Sequence, residues 1–196
     1  MNGAVGEAGQ AREVTVFFSD IRGFTAMSET RTAAQIVDML NDYFEQMVEI
    51  IVRYEGTVDK FVGDGLLAVF GAPRRQDDHA DRALRAALAI DHAVRQQGPG
   101  DLAIGIGLNS GPVVAGNVGG AGRLEFSVIG DAVNVAARVE SATRQTGDVI
   151  LLAENVRRLL RDHAVELEAR PDVPLKGKRE PVMLYAPLVR SAVPHE

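Results

Sequence analysis

The sequence predicts an α+β fold, a sheet with helices packed against it, and three observations carry that expectation. Short β-branched and aromatic runs alternate with longer segments in which apolar residues recur at helical spacing. Pairs of these strand-like runs lie too close together in the chain for anything but a hairpin to join them. Glycine, proline and asparagine clusters mark most of the changes of period. The expected order is strand, helix, hairpin, helix, hairpin, helix, strand, helix, strands, with no internal repeat and no low-complexity segment.

Residues 1–12 are small, polar and glycine-containing, and predict a mobile lead-in. Residues 14–19, VTVFFS, read as a strand buried on both faces, and Asp20 stands where it ends. The turn IRGFT at 21–25 leads toward a helix whose stripe is Ile36, Met39, Leu40, Tyr43, Phe44, Met47, Val48 and Ile51, and Gly56 stops it. A hairpin follows, with strands at 57–62 and 66–70. Asp77 and Asp78 suit the first turn of a second helix, whose apolar face is Ala83, Leu84, Ala87, Leu88 and Val94 and which stops at Gly98, Pro99 and Gly100. Runs at 102–108 and 113–118, separated by Asn109, Ser110, Gly111 and Pro112, read as a second hairpin. A strand at 124–129, a third helix over about 132–146 stopped by Gly147, a strand at 149–152 and a short helix at 154–161 come next. Final strands are expected near 164–167 and 182–188, around a proline-containing connection.

At 196 residues and 46% apolar content, the chain has the size of one domain with a full core. The expected division is a domain at 13–190 between the lead-in and a tail at 191–196. No cysteine is present, which excludes disulfides and thiolate metal sites and fits a reducing compartment. No run reaches the roughly 18 to 20 apolar residues of a membrane span, and residues 1–10 lack the pattern of a signal peptide. The expectation is a cytoplasmic chain. With 21 Lys and Arg against 27 Asp and Glu, the net charge of −6 argues against broad binding of nucleic acid. A small anionic substrate would need local cations, for which Lys60, Arg123, Arg138 and the KGKR run at 176–179 are candidates.

Two carboxylates stand out. Asp64 lies between Gly63 and Gly65 at the first hairpin's tip, where glycines permit a tight turn and leave the acid approachable. Asp–Gly is also a common turn pair with no chemistry attached. Asp20 is the second acid. The backbone N–H groups of the turn after it, at Gly23, Phe24 and Thr25, are placed to hold phosphates near a metal on Asp20. Two acids from two strands, without nearby histidine, form a hard oxygen site suited to Mg²⁺ or Mn²⁺. On the third helix Asn134 and Arg138, four residues apart, project from one face. An amide and a guanidinium so placed can orient a ribose and neutralise charge on a phosphoryl group, though they also suit an ordinary solvated helix face.

Five blocks, FSDIRGFT at 18–25, DKFVGDGLLAVFGAP at 59–73, IGIGLNSGPVVAGNVG at 104–119, FSVIGDAVNVAARVE at 126–140 and PLKGK at 174–178, resemble in order and spacing those of class III nucleotidyl cyclase catalytic domains. The resemblance runs from residue 14 to about 188. It implies a ferredoxin-like palm, a βαββαβ core with additional C-terminal strands and helices, working as a head-to-tail homodimer with sites shared between subunits. It also implies roles. Asp20, Asp64 and the backbone of Ile21 match metal-binding positions, for two divalent ions per site, Mg²⁺ or Mn²⁺. Asn134 and Arg138 match the ribose and transition-state pair, Lys176 a lysine reaching the terminal phosphates, and Arg123 lies near a phosphate-binding position.

Lys60 and Ser127 match the positions that read the base. A lysine donor with a hydroxyl acceptor suits the acceptor and donor edge of adenine, and guanine presents the reverse. The resemblance therefore implies the adenylate branch, with ATP converted to cyclic AMP and pyrophosphate by two-metal in-line attack of the 3′-hydroxyl on the α-phosphorus. Serine at 127 departs from the threonine or aspartate usual there, so a guanylate-tolerant enzyme stays open. So does a non-catalytic nucleotide-binding or dimerisation module of the same fold. A palm-type polymerase or diguanylate cyclase would share the metal chemistry, but the GGDEF-type block is absent. The proton of the attacking hydroxyl has three candidate acceptors, Asp20, water or a substrate phosphate.

Overall fold

The structure, a computed structural model, describes residues 9–97, 102–120 and 123–188. Its centre is a long strand, β1 (Gln10–Arg22), hydrogen-bonded on both sides. The chain then forms α1 (Phe24–Glu29), α2 (Ala33–Arg53), the hairpin β2 (Thr57–Val62) and β3 (Gly65–Phe70), α3 (His79–Gln97) and β4 (Ala103–Gly120). Next come β5 (Arg123–Ile129), α4 (Asp131–Thr146), β6 (Ile150–Ala153), α5 (Glu154–Leu159), β7 (Leu167–Val173) and β8 (Val182–Pro187). The sheet runs β2-β3-β1-β4-β6-β8-β7, with β5 paired to the far part of β4. Its first four strands, with α2 and α3 as crossovers, are the βαββαβ core of a ferredoxin-like palm.

Side-chain alternation along β1 sorts the core into two layers. Phe17 and Ile21 face Met47, Ile51 and Ile90 of α2 and α3, whereas Val14 and Val16 face the opposite layer with Val128 and Ala132. Helix α4 covers that second face, its Val139 and Ala142 packing on Leu151 and Leu184. All six residues of β3 are buried, as expected for a continuous apolar run between two paired neighbours and two layers. No helix among the described residues is long and apolar enough to cross a membrane.

The structure corrects the sequence reading in several places. Residues 102–118 are not a hairpin. From residue 103 on they lie within the single strand β4, which pairs with β1 from Ala103 to Ala115, with β6 from Ile106 to Leu108 and with β5 from Val114 onward. Asn109 to Pro112 fall in the gap between those two partners. There the polar side chains are held by Thr15, Asn155 and the Ala132 carbonyl, so they mark no turn. The strand expected at 164–167 instead spans Leu167–Val173, an edge strand whose irregularity between Arg170 and Val173 takes up Pro171 and Asp172. Strand β1 takes in Gln10 to Arg12, which the sequence places in the lead-in. Asp77 and Asp78 precede α3, and the acid of its first turn is Asp81.

Helix α2 begins at a capping box, Thr32 accepting from the Gln35 amide while the Gln35 side chain accepts from the Thr32 amide. At its other end the left-handed residue is Glu55 (φ 60°). Gly56 answers a packing need, since a Cβ there would lie 2.6 Å from the Phe70 ring. The stops at 98–100, the domain end at 189–190 and the tail at 191–196 lie outside the described residues.

Candidate active site

Asp64 sits in the two-residue turn of the β2–β3 hairpin, between the paired Val62 and Gly65. Positive φ at Gly63 (63°) and at neither neighbour is the pattern of a hairpin turn with glycine first. Gly65 has a different task. A Cβ there would lie 2.8 Å from the Ser19 carbonyl and 3.5 Å from Oδ1 of Asp20, so its bare backbone lets the hairpin tip close on β1. The Asp20 and Asp64 carboxyls consequently come within hydrogen-bonding reach of each other. Partial burial, then the adjacent Asp64, push the Asp20 pKa up to about 6, against the pull of Arg144. Arg144 donates from Nη2 to Asp20 at 3.0 Å.

These two acids suit a hard divalent cation. Their ligand atoms are all oxygen, both groups are half-buried, and a cation would offset the burial and the Asp64 carboxyl that together raise the Asp20 pKa. Among the described residues no cluster of three or more potential ligating side chains exists, so a cation here would draw further ligands from substrate, water or backbone. The buried Ile21 packs into the core beside Asp20. Gly23, in the left-handed region at φ 67°, caps α1, and Phe24 and Thr25 are its first residues.

Asn134 and Arg138 lie on α4, the amide exposed and the guanidinium half-buried. The Arg138 guanidinium rests against Gly177, since a Cβ there would sit 3.5 Å from its carbon. That contact brings Arg138 beside the turn carrying the exposed Lys176, a turn closed by the Lys178 amide on the Leu175 carbonyl. Arg138 and Arg144 are six residues apart, about 9 Å along the helix and roughly 120° around it. They do not share a face, and the α4 residue that reaches the acids is Arg144.

A third group forms on β2 and β5. Lys60 is exposed, Ser127 half-buried, and between them the Asp59 side chain is fully buried with Oδ2 3.7 Å from Lys60 Nζ. Arg123 opens β5 opposite Gly120. Within one chain the expected residues therefore gather as three sets: Asp20 with Asp64, Arg138 with the Lys176 turn, and Lys60 with Ser127.

Sequence reasoning missed Arg144, Glu140 and Asp59. Glu140, only 2% exposed, lies under β4, and its carboxylate takes two donations from Arg144 Nη1 at 3.2 and 3.3 Å. Burial pushes its pKa up to about 7, with Arg144 opposing and Asp20 adding to the rise. The i, i+4 spacing of Glu140 and Arg144 was a visible signal of a pair, though not of where it points.

The adenylate and guanylate cyclase catalytic domain family matches residues 7–186. This chain belongs to that family. As a cyclase domain it is 37% identical over 192 residues to an adenylate cyclase of Anabaena cylindrica, covering 91% of this chain and 37% of that protein. It is likewise 37% identical over 187 residues to an uncharacterized protein of Mycobacterium tuberculosis, covering 95% of this chain and 33% of that one. The cyclase domain thus spans about a third of the length of these curated relatives. Among solved structures, it resembles the adenylyl cyclase CyaB from P. aeruginosa at 34% identity and a TM-score of 0.80, covering 93% of this chain and 97% of that one. It resembles the guanylate cyclase domain of RhGC from Catenaria anguillulae, solved with GTP, at 31% identity and a TM-score of 0.81, covering 93% and 100%. Fold similarity is the same toward an adenylyl and a guanylyl enzyme, so the base has to be argued from side chains.

Proposed function

We propose that this chain is the catalytic domain of an adenylate cyclase, converting ATP to 3′,5′-cyclic AMP and pyrophosphate at sites shared between two copies. The observation that carries it is that Lys60 of β2 and Ser127 of β5 both lie by the Asp59 carboxyl, a donor and a hydroxyl suited to the edge of adenine. Asp20 and Asp64, with the Ile21 backbone, are the residues to hold Mg²⁺ or Mn²⁺. Divalent cations there would supply Lewis acidity, lowering the pKa of a bound hydroxyl and neutralising phosphate charge.

The chain's own residues do the rest. Asn134 orients the ribose so that its 3′-hydroxyl faces the α-phosphorus. Attack forms the new P–O bond and pyrophosphate leaves. Arg138 takes up the charge that grows on the phosphoryl oxygens, a role worth several kcal/mol in comparable sites. Lys176, Arg123 and the backbone at Gly23, Phe24 and Thr25 hold the phosphates. Because Arg138 faces away from the side of α4 that meets the acids, a second copy supplies Asn134 and Arg138 to each Asp20–Asp64 pair.

The test uses the purified chain with ATP or GTP and Mn²⁺ or Mg²⁺, measuring cyclic nucleotide. Asp64→Ala and Arg138→Ala should each abolish activity, and a mixture of the two should regain it, since a mixed dimer keeps one intact site. Failure to regain activity despite demonstrated subunit exchange removes the shared site. A wild-type chain that binds nucleotide without turning it over supports the non-catalytic module instead.

A further inference from the structure

We propose that Asp59 is a positioning residue for base selection, which by accepting the Ser127 hydroxyl hydrogen leaves only oxygen lone pairs of Ser127 facing the nucleotide. The inference rests on the reading of Lys60 and Ser127 as base-contacting residues and deepens it.

The backbone explains how the acid gets there. Along β2, Val58 pairs with Ala68 and Lys60 with Leu67, so Asp59 is the extra residue of a bulge. A bulge re-aims the side chain it carries. Here it turns the Asp59 carboxyl into the protein, fully buried, while the neighbouring Lys60 stays exposed. Neither carboxyl oxygen has a partner in full hydrogen-bond geometry. Three donors lie close enough to act on it: the Lys60 ammonium, the Ser127 hydroxyl and the Val128 amide. Burial pushes the Asp59 pKa up and those donors pull it back. A buried acid on a bulge is costly to keep without a task, and the groups around it include both base readers.

The chemistry follows from counting hydrogens. A serine hydroxyl has one hydrogen to give and two lone pairs to receive. Left to rotate, Ser127 would accept from the amino group of adenine or donate to the carbonyl of guanine equally well. A carboxylate behind it takes the hydrogen, so toward the base the oxygen can only accept. Adenine presents a donor there and guanine an acceptor. Lys60, an ammonium with hydrogens only to give, donates to the ring nitrogen that accepts in adenine and carries a hydrogen in guanine, with or without Asp59. Asp59 thus turns an ambiguous serine into half of an adenine-specific pair without touching the nucleotide.

The test measures kcat/KM for ATP and GTP in the wild type, Asp59→Asn, Ser127→Ala and the double variant. Asp59→Ala is measured beside Asp59→Asn, so that whichever of the two folds decides the matter. The expected result is a fall of at least about tenfold in the ATP-to-GTP ratio on replacing Asp59, with part of it a gain toward GTP. Once Ser127 is alanine, replacing Asp59 should change the ratio no further. A merely structural role would lower both substrates alike and add to the Ser127→Ala effect, and that outcome overturns the proposal. A wild type that makes neither cyclic nucleotide and binds neither substrate overturns the cyclase reading and this one with it. An active, ATP-selective wild type whose Asp59 variants keep its ratio overturns this one alone.

Discussion

Gly107→Ala puts the placement of α4 to a direct test. Gly107 lies in the middle of β4, opposite Phe18 of β1 and Leu151 of β6, with both sides of its strand paired. A Cβ there would fall inside contact distance of the Glu140 amide nitrogen, 2.6 Å from the Ala136 carbonyl oxygen and 2.8 Å from Glu140 Cα. All three are backbone atoms of α4, so no side chain can swing away to make room. Ordinary carbon contacts need about 3.5 Å or more, so the helix must lift by roughly 1 Å. Overpacking of this kind costs about 1–3 kcal/mol, which for a chain of this size lowers Tm by several degrees. The activity loss should be larger, because Asn134 and Arg138 ride on the same helix and a 1 Å error in placement can cost about 10²-fold. The assay pairs thermal unfolding with kcat on the purified protein, and Gly120→Ala, which meets nothing within 4 Å, is the control. A Gly107→Ala protein with wild-type Tm and kcat would refute the claim that bare backbone at this position seats α4.

Three further outcomes are expected. Glu140 binds its proton more tightly folded than unfolded, so its contribution to stability is full below pH 4.5 and is lost as pH rises toward about 7. In denaturant titrations, Glu140→Gln should therefore gain on the wild type by on the order of 3 kcal/mol between pH 4.5 and 8, and parallel pH curves would count against a buried charge there. His79, hydrogen-bonded at 2.7 Å from Nδ1 to Thr15, has its pKa lowered by burial, so stability falls as pH drops below 6.5, where the unfolded chain takes up a proton first. His79→Gln should flatten that acid limb, the opposite sense to the Glu140 variant over the same range. Thr32→Ala breaks the capping box of α2 and should cost about 1 kcal/mol, seen as a Tm lower by about 2–4 °C with activity unchanged.

How much of this was legible beforehand depended on whether a residue's task was local. The turn at Gly63–Asp64, the apolar run of β3 and the stop at Gly147 (φ 79°) are set by neighbours in sequence, and each stands where the pattern puts it. Bare backbone at Gly105 and Gly107 lets β4 and α4 pack closely. The match to ordered blocks carried Asp20, Asp64, Asn134 and Arg138 as candidates, and the geometry brings the first two together. What stayed hidden are groups whose meaning comes from partners distant in the chain. Arg144 meets Asp20 across 124 positions, and nothing near Arg144 in sequence announces it.

The segment Asn109-Ser110-Gly111-Pro112 shows why the same residues can signal a turn and yet form none. The polar side chains that would favour a turn find partners on β1, α4 and α5 instead. Ser110 bonds Thr15 at 2.7 Å, Asn109 Nδ2 donates to the Ala132 carbonyl at 2.9 Å, and Asn155 Nδ2 donates to Asn109 Oδ1 at 3.0 Å. Pro112, which has no N–H to offer, falls where β4 has lost β6 and not yet gained β5, so no hydrogen bond on that side goes missing. The change of partner has a consequence for the site. Because β4 runs straight through, it carries β5 and Ser127 away from the β6 side of the sheet and toward β2, where Lys60 and Asp59 wait. A hairpin at 109–112 would have turned the chain back before β5 could form there. The unbroken strand is therefore what lets one subunit bring Lys60 and Ser127 to the same place.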